Sequence, residues 1–250
     1  MTPSSLPCIG ILGGSGPLAT AHLHGRLLNF WQSATDAVED TDFPSLRVHQ
    51  CPEMGLDWRG AGSSAPAKLR EGLESLRDAG AQIQLIACNT LHAHLSAEDS
   101  LSVWSLVRAA TAEAQKLACP RVAVWCSQAA ETSGVYSKAL AARGLTPQGL
   151  PAETRALVDQ MIRSAMSGRA AQALDAFRHA LRQTRERGAQ TLILGCTELP
   201  LITQRAGWDA QAVARKNGLW VVDAGEAAVQ SLVRQLQERR AGSPPKALPH

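Results

Sequence analysis

The residues with the most reactive side chains in this sequence are six cysteines: Cys8, Cys51, Cys88, Cys119, Cys126 and Cys196. None pair as Cys-x-x-Cys, the spacing that a structural zinc site would favour, and the default for each is a small buried hydrophobe. Cys88 and Cys196 depart from that default by position. Arg77-Asp-Ala-Gly80-Ala-Gln-Ile-Gln-Leu-Ile-Ala-Cys88-Asn-Thr90 resembles Arg185-Glu-Arg-Gly188-Ala-Gln-Thr-Leu-Ile-Leu-Gly-Cys196-Thr-Glu198, and an offset of 108 residues separates both Gly80 from Gly188 and Cys88 from Cys196. Two thiols on opposite sides of a carbon centre suit inversion of a stereocentre. One thiolate removes the Cα proton, and the other thiol returns a proton to the opposite face. A free thiol titrates near 8.5, so modest tuning keeps one thiolate and one thiol near neutral pH.

The flanking residues fit that chemistry. Asn89-Thr90 and Thr197-Glu198 follow the two cysteines where strands turn into helices. Their backbone N–H groups and hydroxyls could hold a substrate carboxylate and spread the charge of a carbanion-like state. Near the start, Ile9-Gly-Ile-Leu-Gly-Gly14-Ser15-Gly-Pro17 is a glycine-rich loop after a strand, but neither Gly-x-Gly-x-x-Gly nor a loop ending in Gly-Lys. It reads either as a tight turn into a helix or as a substrate-contacting loop, with Gly14 and Ser15 the contact candidates. Arg47 and Arg59 follow the second strand, and either could pair with a carboxylate. His22 with His24 and His92 with His94 form His-x-His pairs, but residues two apart on a helix do not share a face, so no metal site is expected.

The elements that must position these groups follow from the hydrophobic pattern. Strands are expected at Cys8–Leu12, Leu46–Gln50, Ile83–Ala87, Arg121–Trp125, Thr191–Leu194 and Leu219–Val222. Helices are expected at Ala65–Ala79, Glu153–Ser167 and Ala170–Arg187, with Gly80, Gly168 and Gly188 as C-caps. Such alternation implies an α/β protein with mainly parallel sheets, whose ligands bind beyond the carboxyl ends of the strands. Cys8–Leu12 and Arg121–Trp125 match as opening strands of the two repeats. The expected organisation is therefore two similar α/β domains related by a pseudo-twofold, with the active site in the cleft between them. The first spans 1–105 with a returning segment 215–235 and carries Cys88; the second spans 106–214 and carries Cys196. The polar, proline-rich stretch 239–250 is expected to be a disordered tail.

Composition excludes several classes. The sequence has 250 residues, 45% apolar and 19% charged, with a net charge of +3. Its basic residues are scattered, and one Tyr and three Phe offer few stacking platforms, so no nucleic-acid partner is expected. No apolar run approaches the roughly 20 residues of a membrane span, and Met1–Pro7 lacks the marks of a signal peptide. A cytoplasmic location with free cysteines is the expectation.

Gly10-Ile-Leu-Gly-Gly-Ser-Gly-Pro-Leu-Ala-Thr20, Cys88-Asn-Thr-Leu-His92 and Gly195-Cys-Thr-Glu-Leu-Pro200 together resemble the aspartate/glutamate racemase superfamily, its aspartate racemase branch most closely, over about Cys8 to Val233. The resemblance implies a cofactor-independent amino-acid racemase with Cys88 and Cys196 as acid–base thiols, no pyridoxal phosphate or metal, and a homodimer. It implies that Asn89, Thr90 and Thr197 contact the α-carboxylate, that Glu198 orients or tunes the second thiol, and that Arg59 is the candidate for a side-chain carboxylate. Departures gather at the side-chain pocket. Ser15 stands where the family commonly has Met, Pro52-Glu-Met-Gly-Leu-Asp-Trp-Arg59 replaces Pro-x-Ile-Pro-Asp-Arg, Met166-Ser-Gly168 lacks a Lys before the Gly, and Asp223-Ala-Gly225 replaces Asp-Thr-Thr. The substrate side chain is thus left open between aspartate, glutamate and something less acidic. Other readings are a cis–trans isomerase or decarboxylase of small dicarboxylates on a related fold, or a non-catalytic amino-acid-binding protein.

Overall fold

Short apolar runs that must bury both faces become the inner strands of parallel sheets, and the amphipathic stretches between them become the covering helices. The computed structural model of the protein describes residues 6–54, 65–209, 215 and 218–240. Its first sheet holds β1 (Ile9–Gly13), β2 (Leu46–Gln50) and β3 (Ile83–Ile86) in the order β2–β1–β3. The second holds β4 (Arg121–Trp125), β5 (Thr146–Gln148), β6 (Thr191–Leu194) and β7 (Trp220–Asp223) in the order β5–β4–β6–β7. All pairs within both sheets are parallel, with Ile9 opposite Ile83 in the first and Val122 opposite Thr191 in the second. Replacing β1, β2 and β3 by β4, β5 and β6 turns the first order into the first three strands of the second. The repeat read from the sequence is therefore a repeat of topology, as a pseudo-twofold pair of α/β halves requires.

The six expected strands lie within one residue of their observed ends, and β5 is additional. β5 is a short, largely exposed edge strand with Pro147 at its centre, paired only to β4. Proline is admitted at an edge because no ladder bond is needed from it, and it masks the strand pattern in the sequence. Among the described residues the helices are α1 (Pro17–Thr35), α2 (Ala65–Asp78), α3 (Asp99–Ser102), α4 (Leu106–Lys116), α5 (Gln128–Ser133), α6 (Val135–Ala141), α7 (Ala152–Met166), α8 (Leu174–Glu186), α9 (Leu199–Arg205) and α10 (Ala224–Arg240). The helix expected over Ala170–Arg187 begins instead as a 3₁₀ turn, Ala170–Ala173, before α8. Neither Gly nor Pro interrupts that stretch, so nothing in its residue types marks the change. Gly80, Gly168 and Gly188 have φ of 88°, 78° and 86°, the left-handed conformation of a C-cap.

Three apolar clusters hold these layers. The largest runs from Ile9, Ile11 and Leu85 of the first sheet through Leu23, Val107 and Leu232 of α1, α4 and α10 to Val122 and Ile193 of the second. The other two cover the outer faces, one around Leu12, Leu69, Leu73 and Ile86, the other around Trp125, Val158, Phe177 and Leu192. The halves thus share a central layer of helices. β7 extends the second sheet, while α10, which follows it, packs on α1 and α4. Arg239 and Arg240 close α10, and residues 241–250 of the expected tail lie outside the described residues. No described helix is long and apolar enough to cross a membrane.

Candidate active site

Four strand ends converge on one cavity of about 210 Å³. The turn after β3 contributes Cys88 and Thr90, the turn after β6 contributes Cys196 and Glu198, and the loop after β1 contributes Ser15 and Gly16. The loop after β4 adds Ser127, which caps α5 by accepting from the Ala130 N–H at 3.2 Å. The remaining wall is one face of α7, where Asp159, Ile162, Arg163 and Met166 recur at helical spacing. Both repeat cysteines therefore open into the same space, one from each half.

The two turns are tied to each other across the halves. The Thr197 hydroxyl donates to the Ala87 carbonyl at 3.1 Å, and Thr90 Oγ1 lies 2.9 Å from Ser127 Oγ. Glu198 reaches further. A Cβ on Gly16, whose φ is 89°, would lie 2.0 Å from Glu198 Oε1, so only glycine admits the carboxylate against the first-half loop. Tyr136 of α6 donates its hydroxyl to Asn89 Oδ1 at 2.9 Å.

The electrostatics of the two sulfurs differ. Burial pushes the Cys88 thiol up, but a hydrogen bond from Ser15 and the backbone N–H groups of Leu91 and Thr90 favour its thiolate, against the charge of Glu198. Cys196 is pushed much further up. Burial is the first cause, then the charge of Glu198, then the bond in which its S–H donates to Glu198 Oε2 at 2.9 Å. Glu198 is itself raised by burial, which its bonds to Cys196 and Thr197 offset in part. An unliganded site therefore holds its proton on Cys196 more firmly than on Cys88.

Of the residues expected at the site, Cys88, Cys196, Ser15, Thr90 and Glu198 line the cavity. Gly14 does not: its backbone is pressed against Cys51, where a Cβ would lie 2.2 Å from the Cys51 carbonyl oxygen. Asn89 and Thr197 are buried between the cavity-lining residues, with the Thr197 hydroxyl already donated to Ala87. Arg59 lies outside the described residues. Arg47 is exposed and bonds to the carbonyls of Leu46 and Ala79. His92 is buried, with both ring nitrogens engaged by Cys88 O and the Leu106 N–H. Among the described residues no three His, Cys, Asp or Glu side chains gather as a metal-binding group.

Sequence reasoning missed Tyr136, Ser127 and, apart from Met166, the α7 face. Ser127 had a signal, since it follows a strand end as the cysteines do. Tyr136 had only its rarity, as the single tyrosine in the sequence. The α7 face could not be assigned because its helical period is equally that of a core-facing stripe.

Residues 7–232 match the family described as Asp/Glu/Hydantoin racemase. The chain is 28% identical over 87 residues to the broad specificity amino-acid racemase RacX of Bacillus subtilis, a match spanning 34% of this chain and 38% of that relative. Among solved structures it resembles an aspartate racemase of Picrophilus torridus, with a TM-score of 0.74 and 21% identity over 94% of this chain and 98% of the other. It also resembles a glutamate racemase of Thermus thermophilus, with a TM-score of 0.64 and 19% identity over 99% and 86% of the two chains. At those identities the structural likeness speaks to the fold.

Proposed function

From the membership of this chain in the Asp/Glu/Hydantoin racemase family, we propose that it is an amino-acid racemase working without pyridoxal phosphate or metal, with Cys88 and Cys196 as its two acid–base groups. The observation that carries the reading is that both repeat cysteines open into one cavity from opposite halves. In one direction the Cys88 thiolate takes the Cα proton. The developing negative charge spreads into the substrate carboxylate, and the Cys196 S–H delivers its proton to the opposite face. Cys88 ends as the thiol and Cys196 as the thiolate, and the reverse reaction exchanges the roles. Asn89 and Thr90 hold the α-carboxylate in this scheme, and Thr197 fixes the second turn through its bond to Ala87. Glu198 keeps the resting proton on Cys196, and Ser15 and the Thr90 and Leu91 N–H groups favour thiolate at Cys88.

The substrate side chain lies toward α7, where Ile162 and Met166 alternate with Asp159 and Arg163. That wall offers apolar surface between opposite charges, which suits a side chain longer or less acidic than that of aspartate. The same reading includes a homodimer in the cytoplasm, and light scattering should give the mass of two chains.

The test is incubation of the protein in D₂O with L-aspartate, L-glutamate and a panel of neutral amino acids, without added cofactor. α-Deuteration with loss of optical activity is the expected result. Absence of exchange with every amino acid, alongside turnover of maleate or a malonate, would replace racemisation by isomerase or decarboxylase chemistry.

A further inference from the structure

Tyr136 reaches both cysteine-bearing turns although it belongs to neither. It stands second in α6, is 4% exposed, and donates its hydroxyl to Asn89 Oδ1 at 2.9 Å, next to Cys88. Its ring lies on Gly195, the residue before Cys196, where a Cβ would come within 2.8 Å of Cε2. Only glycine there admits the ring.

The partner end of Asn89 is the informative one. Asn89 is 2% exposed, and its amide nitrogen Nδ2 is buried without a hydrogen-bond partner. An unpaired buried N–H group is costly, and the cost is relieved when an acceptor arrives. Asn89 lies between Cys88 and Thr90, both of which line the cavity. The orientation of the amide follows from the phenol. Burial and the neighbouring cysteine charges push Tyr136 well above its ordinary range, so its hydroxyl always carries a proton that needs an acceptor. Oδ1 supplies the acceptor, which leaves both Nδ2 hydrogens for something else. Turned the other way, the amide would leave the phenolic hydrogen unpaired and present an oxygen to an incoming anion.

We propose that Tyr136 is a positioning residue, which locks the Asn89 amide so that Nδ2 donates to the carboxylate of the ligand. This rests on the racemase reading for the identity of that carboxylate, the α-carboxylate of an amino acid. Because Tyr136 comes from the half opposite to Asn89, the donor is correctly aimed only when the two halves are packed together.

The test is a cycle of Tyr136→Phe, Asn89→Ala and the double variant, read as KM and kcat in both directions. Tyr136→Phe should raise KM about tenfold for both enantiomers while kcat moves less than about threefold, because the lost interaction serves the bound ground state and the transition state alike. In the Asn89→Ala background the same change should leave KM where it is, since Tyr136 acts through Asn89. A merely structural tyrosine would instead give multiplying effects, and that result, or an unchanged KM in Tyr136→Phe, overturns the proposal. Asn89→Asp keeps the bond to the phenol and swaps the free donor for an acceptor. It should raise KM at least as much, and an unchanged KM overturns the proposal even if Tyr136→Phe fails to fold. Should wild-type protein exchange no amino acid, the racemase reading falls, and the same variants are read by calorimetric binding of maleate. Weakening confined to variants that lose the Nδ2 donor or its orientation supports the role of Tyr136, and equal binding in all of them removes it.

Discussion

Cys88 is hydrogen-bonded by donors, the Ser15 hydroxyl and the N–H groups of Thr90 and Leu91, and feels Glu198 only through its charge. Around Cys196 the nearest group is a carboxylate, with Glu198 Oε2 accepting its S–H at 2.9 Å, and only the Glu198 N–H favours the thiolate. The halves share a strand order and place their sulfurs alike, and burial raises both thiols, yet Cys88 has donors that offset the rise and Cys196 has a carboxylate that adds to it. The repeat thus supplies symmetric positions, and the residues that follow each strand break the symmetry of protonation. A two-thiol racemase gains from this difference, because it sets which sulfur gives up its proton first and which keeps it. The free energies of the enantiomers are equal, so kcat/KM must be the same in both directions. The asymmetry must therefore appear in the free protein and in partial reactions.

The largest effect comes from removing either sulfur. Cys88→Ala and Cys196→Ala should each lower racemisation by about 10²–10⁴-fold, the usual contribution of a general acid or base. Exchange of the α-proton with D₂O should survive for one enantiomer in each variant, and for opposite enantiomers in the two. Normal racemisation by both variants would end the thiol mechanism.

Next in size is the contrast itself. Iodoacetamide followed by peptide mass spectrometry should label Cys88 about tenfold faster than Cys196 near pH 8, since alkylation follows the thiolate fraction. Glu198→Gln removes the carboxylate charge, lowers the Cys196 thiol and should narrow the gap. Equal labelling in the wild type would erase the comparison, and an unchanged gap in Glu198→Gln would move its cause elsewhere. A smaller shift belongs to Ser15. Ser15→Ala removes one donor to the Cys88 thiolate, so the acid limb of kcat/KM should move upward by about one pH unit, as expected for loss of one hydrogen bond to an anion. No movement would return Ser15 to the role of a substrate contact.

Much of this contrast was legible in the sequence, though unevenly. The two cysteines and the strand ends that carry them follow from a repeat of apolar runs and turn residues, which is local information. Glu198 beside Cys196 is also local, two residues away in the chain. The donor side of Cys88 is local only for the Thr90 and Leu91 N–H groups, because Ser15 comes from the loop after β1 and its neighbour Gly14 faces Cys51 instead of the cavity. Tyr136 and the α7 wall are further removed. Their residue types serve a core as well as a site, and only the packing of the halves decides between the two. Short β5 was hidden by Pro147 for the complementary reason: at an edge the ladder asks nothing of its nitrogen.

The smallest expected effect tests how each turn is anchored. His92, four residues after Cys88, gives its Nδ1 hydrogen to Cys88 O at 3.0 Å and accepts the Leu106 N–H at Nε2 at 3.2 Å, tying the turn to the start of α4. The repeat-equivalent position in the other half is Pro200, and there the Thr197–Ala87 bond does the anchoring. Burial is the main reason that His92 is lowered to about 4, with the charge of Arg108 adding to it. His22 in α1 is also lowered to about 4, by burial and then by Arg26. An unfolded histidine takes its proton near 6.5, so between that pH and about 4 the unfolded chain binds more protons than the folded one. Stability is therefore full above pH 6.5 and declines as pH falls toward 4. The melting temperature should follow that decline. His92→Asn keeps a donor and an acceptor without a titrating ring, so its decline should be shallower. Hydrogen exchange at pH 5 should loosen the Cys88–Leu91 amides before those of Thr197–Leu199, because acid puts a buried charge on His92 in the first turn and removes one from Glu198 in the second. Equal loosening of both turns would mean that the shared helical layer, and not His92, sets the acid response of the site.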